Sequence, residues 1–564
     1  MIEKSVPIGI EFYKQMIDKN YYYVDKTMII KELLDNPASV SLFTRPRRFG
    51  KTLTMNMLKT FFEDERDLYG NKIDNHRFFE GKKITFCGKK YMEKMEQYPV
   101  ISLSLKSAKQ PEFEMAYRAL QNEIRAEFRR HQYVCRSALL CEDEKVQFNH
   151  IMTGKADSAD YATAFVFLSE CLKKYHHKNV IILIDEYDVP LENANFANFY
   201  DQMAAFIRSL FESALKTNEN LEFAVITGCL RISRESIFTG LNNLKIISIL
   251  RNDCAEYFGF TPEEVHQMLV DYNMTDCEEE VQSWYDGYLF GETEVYNPWS
   301  VINYIDENRN KTKVFPQPYW SNTSSNSIIR DLIENADSIT RKEIEDLVAG
   351  GTIEKPVHED ITYENVHDSQ DNLWNFLFFT GYLKKIAQRQ EQRTKYLTMA
   401  IPNEEVLYIY ENTIQEWLKV KVKKSDFTEM YSAILEGDTQ TMESCLKKQL
   451  RESISFMDGA ENFYHGFLLG LLGGLEGYEK LSNRESGEGR YDIVLKPYDE
   501  QCPAIILELK KVLRFTEMEE MCLKALQQIE NKHYAMELEH EGYPIIKKYG
   551  ICFCKKSCMV KIRE

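Results

Sequence analysis

Apolar residues in the first half of the chain gather in short runs rather than in long amphipathic stripes. Residues 39–44 (SVSLFT), 99–105 (PVISLSL), 179–184 (NVIILI) and 222–227 (EFAVIT) each read as a strand, with 179–184 apolar almost throughout. Helical periodicity fills 51–63, 160–175 and a stretch near 197–217. Short apolar strands separated by helices predict an α/β fold with a parallel sheet covered on both sides.

After about residue 255 the pattern changes. Helical spacing runs from Thr261 through about Asn308, with Pro262 suited to a first helical turn. Residues 326–347 and 370–386 again read as helices, 395–401 (KYLTMAI) as a strand, and 404–450 as mostly helical. The final stretch predicts a helix (461–475), two strands (490–496 and 504–510), a helix (516–531) and a terminal strand pair (548–562).

Composition narrows the setting. A chain of 564 residues accommodates three to five structural units at about 100–200 residues each. With 44% hydrophobic and 12% aromatic residues it has ample material for packed cores. The net charge of -18 argues against a uniformly basic coat for nucleic acid, but not against a local basic groove. The thirteen cysteines form no compact framework, so a disulfide scaffold is not expected. Cys552, Cys554 and Cys558 are spaced C-x-C-x3-C without a nearby His, which fits small apolar strand residues better than zinc ligands. No run of about 20 apolar residues occurs, and the N-terminus has no signal-peptide core, so the expected location is cytoplasmic, with no membrane.

Residues 42–54 (LFTRPRRFGKTLT) stand between a predicted strand and a predicted helix. A phosphate-binding loop, G-x-x-x-x-G-K-[ST], uses glycines to let backbone N–H groups curl round phosphate oxygens, a Lys to reach the β/γ-phosphates and a hydroxyl to bind Mg²⁺. Gly50, Lys51 and Thr52 supply the second half. Arg45 replaces the first Gly, and Pro46, Arg47, Arg48 and Phe49 complete the loop. Arg47 and Arg48 either touch phosphates or remain solvated loop charges.

Further along, 180–188 (VIILIDEYD) is an apolar strand that runs into two acids. Asp185 is placed to hold Mg²⁺ through water, and Glu186 to orient and deprotonate the attacking water. The next strand ends in Thr227, a candidate sensor of the γ-phosphate. Arg231 or Arg234 would add positive charge, in cis or from a neighbouring subunit, unless both serve in surface ion pairs. ATP and Mg²⁺ are the cofactors these residues imply.

Taken in order, YYVDKT (22–27), TRPRRFGKT, LIDEYD, TGCLRISRESIFTGLNN (227–243), WYDGYLF (284–290) and YNPWSVINY (296–304) resemble the AAA-ATPase-like family of bacteria and archaea. In that family the ATPase is usually followed by a PD-(D/E)xK nuclease-like domain, and an Arg at the first P-loop glycine looks normal. The resemblance implies a P-loop NTPase domain of the ASCE, AAA-like kind over 1–255 and a helical lid over 256–320 that contains YNPWS. It also implies a winged-helix-like region over 321–410 that contains NLWNFLFFTGYL (372–383). A helical linker would follow over 411–450, then an α/β restriction-endonuclease-like domain over 451–564.

The last domain carries its own constellation in GRYDIVLKPYDEQCPAIILELKK (489–511). Glu508 and Lys510 are two apart on a strand, so both point to one face while Leu509 points to the other. Asp492 on the preceding strand can lie opposite them. Asp492 and Glu508 would bind Mg²⁺, and Lys510 would position a water or stabilise the transition state. An E-x-K strand is also a common salt-bridge face. Against that, AIILEL is too apolar for a solvated face, and Ala525, Gln528, Ile529 and Lys532 follow at helical spacing as in this superfamily. Glu461 resembles its helix-borne acidic ligand. His465 reads as a satisfied core or edge residue. Lys547, Lys548, Lys555, Lys556, Lys561 and Arg563 face only Glu541 and Glu564 near the end, and either grip a phosphate backbone or protect a strand edge.

Three functions are therefore weighed. The first is a nucleotide-regulated, Mg²⁺-dependent nuclease acting on nucleic acid, DNA foremost, in a defence or mobile-element setting. The second is an ATP-dependent switch that binds a protein or DNA partner through an inactive nuclease-like domain. The third is an assembly factor that forms homo-oligomers through its ATPase domain. The complete Asp492, Glu508, Lys510 set favours the first.

Overall fold

The apolar runs of the N-terminal half line up side by side. In the computed structural model, which describes residues 4–230, 237–238, 241–309, 314–321, 327–359, 369–423, 427–452, 461–482, 485–486, 489–499, 501–555 and 557–563, they form a five-stranded sheet. Its strands are β1 (Val40–Thr44), β2 (Val100–Ser104), β3 (Val180–Asp185), β4 (Leu221–Gly228) and β5 (Leu244–Ile247). The order is β2-β3-β4-β1-β5, with every pairing parallel. All of β1 and β3 is buried, as strands covered by helices on both faces must be. The strand β5 was not expected; three of its four residues are apolar, but only Ile247 is buried.

The chain forms two units, Met1–Ser324 with Glu354–Val406, and Ser325–Ile353 with Leu407–Glu564. In the first, the helical reading from Thr261 to Asn308 holds in three pieces: Pro262–Asp271, Glu278–Tyr285 and Pro298–Asn308. Thr261 caps the first of these in a capping box with Glu264, and Pro262 sits at its first turn. A hairpin, β6 (Tyr288–Phe290) and β7 (Thr293–Val295), interrupts them. Val265, Leu269, Tyr285, Val301 and Tyr304 pack together to hold this helical layer.

The helix read over 370–386 is Gln370–Thr380 only. Gly381, at φ +94, ends it, and a strand begins at Lys384. That strand, β9 (Lys384–Glu391), pairs with β10 (Thr394–Ala400) in a sheet ordered β8-β10-β9, where β8 is Ile353–Pro356. Gly381 also permits close approach, since a Cβ there would lie 3.0 Å from the Cβ of Pro46.

The second unit contains helices Ser327–Asn335, Ser338–Val348, Thr428–Glu436, Thr439–Glu452 and Glu461–Leu472. Helix Glu404–Lys423 carries the chain into it. Its sheet begins with β11 (Tyr478–Ser482), and a short pair β12 (Glu485–Ser486) and β13 (Gly489–Arg490) follows. The remaining strands are β14 (Ile493–Pro497), β15 (Ala504–Lys511), β16 (Ile546–Cys554) and β17 (Ser557–Arg563). The order is β11-β14-β15-β16-β17, with β15 and β16 parallel and the other pairs antiparallel. Helix Met518–Asn531 lays Leu526 and Ile529 against Val494 and Ile506. Among the described residues the thirteen cysteines form no disulfide. Among the described residues no helix is long and apolar enough to cross a membrane.

Candidate nucleotide site and candidate nuclease site

The sheet order puts the carboxyl ends of β1, β3 and β4 next to one another, the edge where open α/β sheets bind ligands. The loop after β1 turns through Arg48 at φ +70 and Gly50 at φ +79, and helix Lys51–Phe62 starts at once. The free N–H groups of that first turn and the helix dipole favour an anion there.

The side chains that converge on this edge are tied to one another. Thr52 Oγ1 donates to Asp185 Oδ2 at 2.6 Å, and Thr227 Oγ1 donates to Asp185 Oδ1. Lys51 Nζ donates to the carbonyls of Arg45 (2.9 Å) and Pro46 (2.8 Å), with Cys229 Sγ 3.7 Å away. Glu186 follows Asp185 with φ +54, and burial, then the Asp185 charge, pushes its carboxyl above the usual range. Strained backbone at a carboxylate beside a phosphate loop fits a side chain held for chemistry rather than for packing.

The other loop residues serve different ends. The Arg45 side chain is fully buried, donating to the carbonyls of Thr44 (2.9 Å) and Ile247 (2.8 Å) beneath the rings of Phe258 and Phe290. It cross-links β1 to β5, and its backbone N–H donates to the Gly228 carbonyl at 3.0 Å. Pro46 is buried, and Phe49 packs on Tyr288 and Phe290 of the hairpin. Arg47 pairs with Glu192, and Arg48 stacks 4.4 Å over Trp299 in the YNPWS segment. Neither is a simply solvated charge. Arg231 and Arg234 lie outside the described residues.

One residue here escaped the sequence reading. Asp188 is buried, and its Oδ2 accepts the backbone N–H groups of Cys229 (2.7 Å) and Leu230 (3.1 Å). It thereby fixes the chain as it leaves β4. The signal in the sequence was the acid three residues after Asp185.

In the second unit, β15 alternates as expected and carries Glu508 and Lys510 on one face. Lys510 Nζ donates to Glu508 Oε1 at 2.9 Å. Asp492 stands just before β14, and its Oδ2 accepts the Leu509 N–H at 2.7 Å. Glu508 is 1% exposed, and its Oε2 is buried with no hydrogen-bond partner. Burial, reinforced by the Asp492 charge, pushes its carboxyl up to about 7, with Lys510 opposing. His465 Nε2 lies 2.9 Å from the Asp492 carbonyl, a backbone contact. Glu461 opens its helix, but its side chain lies outside the described residues.

The C-terminal basic cluster is largely engaged. Lys547 donates to the Glu436 carbonyl, while Lys548 and Lys561 pair with Glu530 and Glu519 of helix Met518–Asn531. Lys556 lies outside the described residues.

A parallel sheet with a phosphate loop after β1, followed in the chain by a mixed sheet bearing Asp…Glu-x-Lys, defines a P-loop domain joined to a nuclease-like domain. Comparison with known families agrees in both parts. Residues 7–238 match the AAA-ATPase-like family model, described as "Predicted AAA-ATPase". Residues 459–563 match the PD-(D/E)XK nuclease superfamily. The chain therefore carries an AAA-ATPase-like domain and a PD-(D/E)XK nuclease superfamily domain. It is also 25% identical over 347 residues to "Uncharacterized protein in vnfD 5'region" from Azotobacter chroococcum mcd 1. That match takes in 60% of this chain and 58% of the relative.

Proposed function

We propose that this chain is an ATP-hydrolysing protein whose nucleotide state controls cleavage of nucleic acid, DNA foremost, by its own metal-dependent nuclease site. The observation that carries the reading is Glu508: a buried carboxylate with one oxygen on Lys510 and the other without a partner, next to Asp492. A buried, unpartnered carboxylate oxygen is costly, and a divalent cation is the ligand that suits two adjoining carboxylates. The donor set at Thr52 and Asp185 suits Mg²⁺ with nucleotide in the same way.

At the nuclease site Asp492 and Glu508 would hold the cation, with Leu509 N–H fixing the orientation of Asp492. The cation supplies charge to polarise the phosphodiester and acidify a water. Lys510 keeps the Glu508 carboxylate in place and offers positive charge to the pentavalent transition state. At the ATPase site the phosphates would take over the Lys51 amine from the Arg45 and Pro46 carbonyls. Glu186 then orients and deprotonates the attacking water, and Thr227 stands beside Asp185 to report on the γ-phosphate.

The reading treats 1–255 as the ATPase domain and 256–320 as its lid. It treats 321–410 as a winged-helix-like region, 411–450 as a linker and 451–564 as the nuclease. A route for control is supported by the lid helix. Trp299 meets Arg48 of the phosphate loop, and the next residue, Ser300, donates to Glu405 at 2.8 Å. Glu405 stands in the first turn of the helix that carries the chain onward. Homo-oligomers through the ATPase domain, a cytoplasmic location and a defence or mobile-element role belong to the same reading.

The test is a cleavage assay on supercoiled, linear and single-stranded DNA and on RNA, with Mg²⁺ or Mn²⁺, with and without ATP. Wild type is compared with Lys51→Ala and Lys510→Ala. Loss of Lys510 should cut cleavage by about 10²–10⁴ while ATP binding persists. Loss of Lys51 should weaken ATP binding by about tenfold or more, and with it the effect of ATP on cleavage. Unchanged cleavage by Lys510→Ala would sink the nuclease half. That outcome would favour the partner-binding switch.

A further inference from the structure

The strand that carries Glu508 and Lys510 ends in a segment neither site accounts for. Residues 510–515 read KKVLRF, with three basic residues and no acid. Val512 is the last residue anchored to the sheet, its N–H donating to the Phe553 carbonyl at 3.0 Å. Beyond it the chain leaves the sheet, and Leu513 is 76% and Phe515 61% exposed. Arg514 stands between them, with only a long 3.8 Å approach to Glu517. A scattered exposed apolar residue needs no explanation. Two of them flanking an arginine, on a turn rooted in the strand that bears Lys510, do.

We infer that Leu513 and Phe515 form a wedge that enters the base stack of the nucleic acid held at the nuclease site, which makes unpaired or locally opened nucleic acid the substrate class. The inference rests on the nuclease reading and refines it. Spacing supports it. A strand advances about 3.3 Å per residue, so Leu513 lies about 10 Å along the chain from Lys510. Stacked nucleotides advance about 3.4 Å per base along one strand, so the wedge would sit about three nucleotides from the phosphate at Lys510.

Chemistry supports it as well. Apolar and aromatic side chains on a protruding turn part base steps or take unpaired bases as stacking partners, while adjoining cations hold the backbone. Arg514 supplies charge of the sign that phosphate requires. A protein partner would be served as well by the apolar pair but gains nothing from the flanking cations. The anchored root matters too: a wedge must push against a fixed base, and Val512 is tied to β16.

The test uses the full chain with Ca²⁺ in place of Mg²⁺, so that binding is read without cleavage. The probes are a single strand, a gapped duplex and an intact duplex, each with 2-aminopurine near the expected step. Wild type should prefer the single strand and the gapped duplex and should raise 2-aminopurine fluorescence on binding. Leu513→Ser with Phe515→Ser should lose that rise and at least about tenfold in affinity for those two probes, with the salt slope unchanged. Arg514→Gln should instead lower the salt slope by about one and keep the fluorescence rise. Leu513→Met with Phe515→Trp should restore both readouts. A double serine variant that binds and unstacks like wild type overturns the wedge and leaves the nuclease reading standing. The same holds if that variant loses only self-association by light scattering. A wild type that binds none of the probes removes the nuclease reading and the wedge together.

Discussion

Asp185 and Glu508 are both carboxylates near the carboxyl ends of buried strands, and both have a lysine close by in sequence or space. Their surroundings differ. Asp185 accepts a hydroxyl on each oxygen, from Thr52 and Thr227, and Lys51 is occupied by loop carbonyls. The partners of Asp185 and Lys51 can be exchanged, because hydroxyls rotate and the lysine is flexible. Glu508 has one oxygen on Lys510 and the other on nothing, while burial and the Asp492 charge push its carboxyl up to about 7. At the first site both oxygens of the central carboxylate are met by the protein; at the second one carboxylate oxygen is buried and unmet. A molecule built this way would respond to nucleotide by moving and to metal by filling a place already made.

The sharpest way to break this contrast is to add cation without nucleotide. Calorimetric titration of wild type with Mn²⁺ should report one site. Glu508→Gln should weaken it by at least about a hundredfold, the upper range seen when even residues around a metal site are changed. Asp185→Asn should leave it in place, because that carboxylate is already met by two hydroxyls. If Asp185→Asn removes the binding and Glu508→Gln does not, the two sites have been assigned the wrong way round.

A second prediction concerns what backs each site. A Cβ at Gly228 would lie 2.4 Å from the Tyr187 ring and 2.9 Å from Asp188 Oδ1. Gly228→Ala should therefore destabilise the ATPase domain by about 1–3 kcal/mol, the usual range for overpacking. It should also weaken ATP binding, since Asp188 fixes the turn after β4. In the nuclease domain a Cβ at Gly470, inside helix Glu461–Leu472, would meet nothing within 4 Å. Gly470→Ala should be neutral or stabilising by up to about 1 kcal/mol. Thermal unfolding followed in both variants measures the difference between these two positions.

Much of this was legible from residue pattern. The runs ending at Thr44, Asp185 and Thr227 are apolar on both faces, which only a covered parallel sheet explains. The alternation in AIILELKK is enough to place Glu508 and Lys510 together. The losses have physical causes. In β5 and β11 few residues are buried, so neither carries a strong period. The helix at 370 was run on through Gly381, because the apolar stretch continues past the glycine that ends it. Arg45 was assigned from its place in the loop, and place in a loop does not reveal that a guanidinium turns back under the sheet. Asp188 and the Asp492 contact to Leu509 N–H are bonds to backbone, which side-chain spacing cannot show.

The last effect comes from a buried acid outside both sites, and it bears on the meaning of the Glu508 orphan. Glu405 is fully buried, yet each of its oxygens has a partner: Ser300 Oγ reaches both, and Trp320 N–H donates to Oε1 at 2.8 Å. Burial still drives its carboxyl up to about 8, so satisfied hydrogen bonds alone do not bring a buried carboxylate back to its ordinary range. Between an ordinary glutamate value of about 4.3 and about 8, the folded chain holds a proton at Glu405 that the unfolded chain has released. Stability therefore falls as pH rises through that window, by at most about 1.4 kcal/mol per unit, and levels off above it. Glu405→Gln keeps the shape and removes the titration, so its stability should decline less between pH 6 and 8 than that of wild type. Denaturant unfolding of both proteins across that range measures the difference. Equal slopes would mean that Glu405 is ionised in the folded chain, with Ser300 and Trp320 carrying the charge.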